Sequence, residues 1–226
     1  VGGGMEYSFG RQPQAIAINL TILAEAFAAV LQDAATREKL PKAELDGELD
    51  RLRAGVSEVY VNTFHSIHDE DCRSKLGLAK WDDEAEELWS QLFGLMSGRC
   101  GGDGIDFTIF FRSLGDLEPP GTEDGAANSL AAVRAAAIGG MDGWPSEHVT
   151  AWKEWTGRYW ARVAKEERAS GAGLEARRRE MARVNPKYIL RNWMAVEAYE
   201  AAARGDSSVI DDIMRVLRRP YDDVPE

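Results

Sequence analysis

From Ile16 to Leu217 the apolar residues of this 226-residue chain recur at steps of three and four, and no stretch alternates residue by residue. Steps of three and four line up on one face of an α-helix, whereas a half-buried strand needs a step of two. The spacing therefore predicts an all-α fold of about eight helices, with no repeat of solenoid length. A first helix is expected over residues 13–35, with Ile16, Leu20, Leu23, Phe27 and Val30 on its buried face. Pro41 breaks the chain. A long helix follows from Lys42 to Phe64 or beyond, with Leu45, Leu49, Leu52, Val56 and Val59 inward. Asp82 or Asp83 can cap the next helix, whose inward residues are Leu88, Leu92 and Leu95 or Met96. Asp106 reads as the N-cap of a helix that buries Phe107, Phe110, Phe111 and Leu114, because a short oxygen side chain there accepts from the first free backbone N–H groups. A short Ala-rich helix is expected over Ser129 to Ile138. Trp144 and Pro145 lead into a stripe of Trp152, Trp155, Tyr159 and Val163. Such a stripe can stack bases, but base-stacking proteins usually carry strands, so a core role is expected.

The last fifth, Asn185 to Asp223, has the clearest punctuation. Asn185 can cap a helix, and Pro186 suits its first position, where no N–H is needed. Ile189, Trp193, Val196 and Tyr199 then form the expected inward face. Gly205 can stop this helix in a left-handed conformation. Asp206 or Ser207 starts another, with Ile210, Ile213, Met214 and Leu217 inward, and Pro220 ends it.

Charge narrows the function classes. The net charge of −11 argues against a nucleic-acid partner. It is uneven: Ala151 to Arg191 carries 11 Lys and Arg against 5 Glu. That stretch could meet a phosphate or acidic partner. Pairing with the chain's own acidic helices is the expected use. Cys72 and Cys100 form no CxxC and no disulfide framework, which points to a reducing compartment. The apolar runs fall far short of a membrane span, so no membrane partner is expected. The opening VGGGMEYSFG lacks the blocks of a signal peptide, and its glycines continue into no phosphate-loop motif, which leaves a flexible leader. His65, His68, Asp69, Glu70, Asp71 and Cys72 crowd eight positions and could hold a metal through two histidines on one helix face. No second cluster joins them, so a solvated helix end is expected and no metal site.

One wording recurs along the chain. It comprises Met181, then Asn185, Pro186, Lys187, Tyr188, Leu190, Arg191 and Asn192, then Gly205, Asp206, Pro220, Tyr221 and Asp222. Upstream stand Asn19-Leu20 with Leu23-Ala24-Glu25-Ala26, then Lys75-Leu76-Gly77-Leu78, then Asp106-Phe107-Thr108 with Phe111-Arg112 and Leu114. Together these resemble the C-terminal region of the selenoprotein O family, kinase-like protein adenylyltransferases. Tyr7, Phe9, Gln12 and Pro13 fit an aromatic segment of that family, while Glu6 and Arg11 depart from it. Trp152, Trp155 and Arg162 resemble a further family helix. The resemblance implies the helical C-lobe extension of a kinase-like fold, behind the catalytic cleft. It covers residues 1–226 as a single helical domain, loosely over 115–143, where a variable insert is expected.

The resemblance also implies what the whole family does: AMP moves from ATP, with Mg²⁺ or Mn²⁺, to Ser, Thr or Tyr hydroxyls of protein substrates. Nucleotidyl transfer needs groups that hold the triphosphate, a base for the acceptor hydroxyl and metal-binding carboxylates. No glycine-rich loop, strand Lys, catalytic-loop Asp or DFG stands in this sequence, and Asp106 is followed by Phe107-Thr108 instead. No catalytic and no metal-binding residue is therefore expected here, and the cofactor-binding residues are left open. The implied partner is an N-terminal kinase-like lobe of the same protein, through which substrates would be met. The implied address is mitochondrial in a eukaryote and cytoplasmic in a bacterium. The other reading is a non-catalytic helical protein-interaction module.

Overall fold

The computed structural model describes residues 11–39, 41–97, 104–117, 130–171 and 173–222. Tyr7, Phe9 and the glycine leader lie outside them. The described residues form ten α-helices and one π-helical segment, with no strand beyond a single isolated bridge. The chain is all-α, as the spacing requires. Its packing separates two compact units, Val1–Glu70 and Asp71–Glu226.

In the first unit α1 spans Gln12–Glu38, with a proline in its first turn, and ends on Lys39 in the left-handed region. Pro41 starts α2, Lys42–Ala54. The helix continues without a break through a π-helical segment, Gly55–Val61, into α3, Asn62–Leu76. The expected buried face of α1 is not the one observed. Ala24, Ala28 and Ala35 are buried, while Ile16, Leu23, Phe27 and Val30 are exposed. Small side chains let two helix backbones approach, and the bulky residues are left on the other sides. Val59, expected inward, is also exposed, whereas Leu49 is buried as expected. Two contacts tie this unit: Tyr60 donates to the Pro13 carbonyl at 3.0 Å, and Arg53 grips Glu25 through two bonds of 2.8 and 3.1 Å. Taken as a helix rather than as an unbroken apolar run, Gln12–Arg37 is long and apolar enough to cross a membrane by length and composition.

The second unit has a continuous aromatic core. Gly77 (φ 63°) closes α3: its N–H donates to Ser74, and that of Leu78 to Arg73, at 3.0 and 3.1 Å. This nested pair of bonds is a Schellman ending. Asp82 caps α4, Asp83–Met96, accepting from Ala85 N at 3.1 Å. Asp106 caps α5, Phe107–Asp116, accepting from Ile109 N at 2.9 Å. Asp106 is the expected cap, and Asp82 is one of the two residues expected to cap α4. Helix α6, Ala131–Ala136, lies inside the stretch expected to vary, yet Ala132, Val133 and Ala136 are core. The bridge Ile105–Ala137 staples it to the start of α5.

Helix α7, Ser146–Ser170, supplies the centre of this core. Trp152, Trp155, Tyr159, Trp160 and Val163 are buried, so the stripe is core. Its polar atoms are satisfied: Trp155 Nε1 donates to the Leu88 carbonyl at 2.8 Å and the Tyr159 hydroxyl to that of Leu76 at 2.9 Å. The Trp155 and Tyr159 rings stack at 5.3 Å. Phe110, Phe111 and Leu114 pack in from α5, while Phe107 is partly exposed.

The C-terminal stretch differs from its reading. Asn185 does not open a helix. It ends α8, Leu174–Val184, and is buried. Residues 186–191 are non-helical, and α9 runs Asn192–Ala203. Pro186 fits this arrangement too, because the residue before a proline is driven out of the helical region whether a helix ends or begins there. The extended segment is held by the N–H groups of Lys187 and Tyr188, which donate to the Pro220 carbonyl at 2.7 and 3.2 Å. The buried residues of α9 are Ala198 and Ala201, while Trp193, Val196 and Tyr199 face outward. Gly205 (φ 82°) ends α9, and α10 spans Ser208–Leu217. Helix α10 buries none of its residues; Ile210 and Met214 are exposed.

Candidate functional site

Three polar constellations stand in the second unit. The first surrounds the C-terminal end of α8, where a helix leaves carbonyl oxygens without intrahelical donors. Lys75 Nζ donates to the Val184 carbonyl at 3.2 Å. Arg112 donates to the carbonyls of Ala182 and Asn185 at 3.0 and 3.2 Å. Asn185 Nδ2 returns a bond to the Lys75 carbonyl at 3.0 Å. Cations at this end also match the negative pole of the helix. Burial pushes the Lys75 ammonium below its ordinary value, against the attraction of Asp71. Met181 sits between two glycines: a Cβ on Gly77 would lie 2.6 Å from its sulfur, and one on Gly115 3.4 Å from its Cβ. Helices α3, α5 and α8 therefore meet at one interlocked joint.

The second constellation fastens the helix starts. Arg162 is buried and binds Asp82 twice, at 2.8 and 2.9 Å, and Glu84 and Glu166, each at 2.8 Å. The hydrogen bond from Arg162 holds the Asp82 carboxyl below the usual range. Arg191, just before α9, bonds both oxygens of the Asp106 carboxylate, one at 3.1 Å. Burial pushes Asp106 up, but the bonds from Arg191, Ile109 and Thr108 together carry it below its ordinary value. Each capping carboxylate thus does two tasks: it caps its own helix and anchors a distant one.

The third is a cavity of about 240 Å³ beside Gly77, Leu78, Glu166 and Arg177. The Arg177 guanidinium lies over the Tyr159 and Trp160 rings, 5.4 and 5.2 Å from their centroids. Its Nε and one terminal nitrogen are buried without a hydrogen-bond partner, as is Glu167 Oε1. Burial, helped by the neighbouring Arg178 charge, pushes Arg177 down to about 10. It remains cationic at neutral pH, with aromatic faces in place of acceptors.

The residues singled out by sequence separate clearly. The basic stretch pairs largely with the chain's own acids: Arg158 with Glu87 at 3.0 Å, Lys165 with Glu84 at 3.6 Å, Arg183 with Glu180 at 2.7 Å. His65 and His68 are exposed, Cys72 is buried, and no group of three or more His, Cys, Asp or Glu among the described residues could hold a metal. Sequence reading missed the fastening roles of Lys75, Arg112 and Arg177. A positive side chain shortly before a helix-ending glycine was the available signal for Lys75; Arg112 and Arg177 act across the fold and had none. His148 was also missed. It is buried, its Nε2 accepts from Trp152 Nε1 at 3.2 Å, and burial pushes its pKa down.

Comparison with known proteins places this geometry. The family model described as "Protein adenylyltransferase SelO" matches residues 3–218. A "Protein nucleotidyltransferase YdiU" of Rhodopirellula baltica is 33% identical over 226 residues, which is 98% of this chain and 38% of the relative. The protein of that name from Myxococcus xanthus is 33% identical over 97% of this chain and 37% of its own length. One from Vibrio vulnificus is 31% identical over 97% and 38%. The chain thus spans well under half the length of these relatives.

Proposed function

The chain belongs to the SelO family of protein adenylyltransferases, and we propose that it forms the helical C-terminal portion of such a protein, a structural support for a catalytic lobe that lies outside these 226 residues. The observation that carries this reading is the use made of the family wording. Lys75, Gly77, Arg112, Met181 and Asn185 lock α3, α5 and α8 together, and Arg191 commits its guanidinium to Asp106. These are fastening tasks, which a nucleotide site would leave undone. Transfer of AMP from ATP to protein Ser, Thr or Tyr hydroxyls belongs, in this reading, to the remainder of a family-length protein. That remainder holds ATP with Mg²⁺ or Mn²⁺ and meets the protein substrates. The compartment follows the same reading: mitochondrial in a eukaryote, cytoplasmic in a bacterium.

One observation favours a second reading. The unit from Asp71 onward has its own closed aromatic core, as a self-standing helical interaction module would. The test is AMP transfer from labelled ATP to a protein acceptor, with Mg²⁺ or Mn²⁺. We expect none from the 226 residues alone, and transfer once they are joined to the unmatched portion of the R. baltica relative. Robust transfer by the chain alone would overturn the proposal. A folded but inactive joined protein, beside an active intact relative, would favour the module.

A further inference from the structure

Helix α1 is apolar around most of its circumference. Its buried stripe is alanine, and Ile22, Phe27 and Val30 on the other sides are 63%, 54% and 66% exposed. A helix that is apolar all round belongs in the centre of a larger body or in a membrane. Beside it, in the same unit, runs a groove of about 740 Å³ lined almost wholly by carbon, among others by Leu23, Phe27, Leu52, Val56, Val59 and Ile67. The π-helical segment Gly55–Val61 forms one wall.

We propose that this groove and the open sides of α1 are the seat of the complementary portion of a SelO-length polypeptide, so that α1 is a central helix of the lobe that portion completes. The inference rests on the reading above and adds the surface through which the two portions join. Chain length supports this occupant: the match takes in 98% of these residues but 38% of the R. baltica relative, so more than half of such a protein remains to cover what is exposed. Sidedness supports it over a second copy. An isologous contact between two copies covers one patch of each, whereas the apolar surface here wraps α1. Charge supports it over a bilayer. Glu25 stands at the middle of α1 and is ion-paired to Arg53 of α2, and a carboxylate at mid-membrane depth is costly.

Hydroxyl-radical footprinting read by mass spectrometry tests this. The samples are the 226-residue chain alone and the chain joined to the unmatched portion of the R. baltica relative. We expect oxidation of Phe27 and Val59 to fall about ten-fold or more on joining, as for groups that become exposed only when the lobe opens. Equal oxidation of both residues in a folded joined protein overturns the proposal. So does their protection in the isolated chain through a concentration-dependent dimer, or protection only on phosphatidylcholine vesicles. A second variant covers the case in which the joined protein does not fold. Phe27→Asp in the isolated chain should leave the melting temperature unchanged and reduce binding of a hydrophobic dye. A lowered melting temperature means that the chain already covers this face, and overturns the proposal. Footprinting reads burial whether or not AMP is transferred, so this inference and the catalytic reading fail separately.

Discussion

Helices α1 and α7 are nearly equal in length, 27 and 25 residues, and both carry large apolar side chains at helical spacing. Their surroundings are opposite. Trp152 and Tyr159 of α7 have no exposed surface, while Phe27 and Val30 of α1 are open over more than half of theirs. Spacing identifies which face of a helix is apolar. It does not say whether the element that covers the face lies in the same stretch of chain. Around α7 the unit from Asp71 supplies both sides of the packing. Around α1 the first unit covers the alanine stripe and leaves the bulky side chains open.

The sharpest way to break this comparison is to cut equivalent side chains from the two helices. Trp152→Ala should cost the second unit about 3–5 kcal/mol, the usual range for removing a buried aromatic. Phe27→Ser should change the stability of the isolated chain by no more than about 0.5 kcal/mol. Urea denaturation followed by circular dichroism measures both. Equal losses would mean that α1 is covered within this chain after all.

Charge networks sharpen the contrast. Arg162→Met leaves Asp82, Glu84 and Glu166 facing one another without their shared cation. Removing one partner of a fully buried pair costs more than removing an exposed one. Asp82 and Glu84 are half-exposed, so the expected loss is about 2–3 kcal/mol. In the first unit, Glu25→Gln removes an ion pair between two exposed side chains, and the denaturation midpoint should stay where it is. A larger shift from Glu25→Gln than from Arg162→Met would reverse the assignment of the closed unit.

Glycines give a test of sign. Gly77 is left-handed, and a Cβ there would strike Met181, so Gly77→Ala should destabilise by about 1–2 kcal/mol. Gly47 lies inside α2 with nothing within 4 Å of a Cβ. Gly47→Ala should therefore stabilise the first unit, by about 0.5–1 kcal/mol. Thermal melts of the two variants moving in the same direction would contradict this account.

The same contrast explains what could be read in advance. Capping by Asp106, capping by one of Asp82 and Asp83, and the core stripe of α7 are local matters: a short oxygen side chain before an apolar run, aromatics at steps of three and four. All three were legible. The faces of α1 and α9 were misassigned for one reason. Ile16 and Phe27, or Trp193 and Val196, are as apolar as core residues, and apolarity alone does not reveal that alanines make the contact. Asn185 was misplaced because an Asn-Pro pair can open a helix or follow one, and only the distant bond to Lys75 decides. The joints made by Arg112 with Asn185 and by Arg191 with Asp106 span 73 and 85 positions, far beyond any spacing rule. The family wording marked Arg112 and Asn185 without disclosing their task.

The last expected effect concerns the Arg191–Asp106 joint and its response to acid. Arg191 is about a third exposed, so Arg191→Met should cost about 1 kcal/mol at neutral pH, below the usual range for a charge-assisted bond because solvent screens it. The folded Asp106 carboxyl lies below its ordinary value of 3.8, because the bonds from Arg191, Ile109 and Thr108 outweigh burial. A carboxyl with a depressed folded value stabilises the fold above its unfolded value. It loses that contribution as pH falls through the folded one. The joint should therefore hold at pH 5 and weaken below about pH 4. Without Arg191 the Asp106 carboxyl loses its strongest downward pull and its folded value rises, so the variant should be less stable than the parent at pH 5 and should lose less stability as pH falls below about 4. Asp106→Asn retains an N-cap acceptor while removing the charge, so it should flatten the acid limb and leave α5 intact. An acid profile that Arg191→Met leaves unchanged would show that the pair contributes nothing in solution. The acid response of the second unit would then have to be sought at Asp82, whose cation is the buried Arg162.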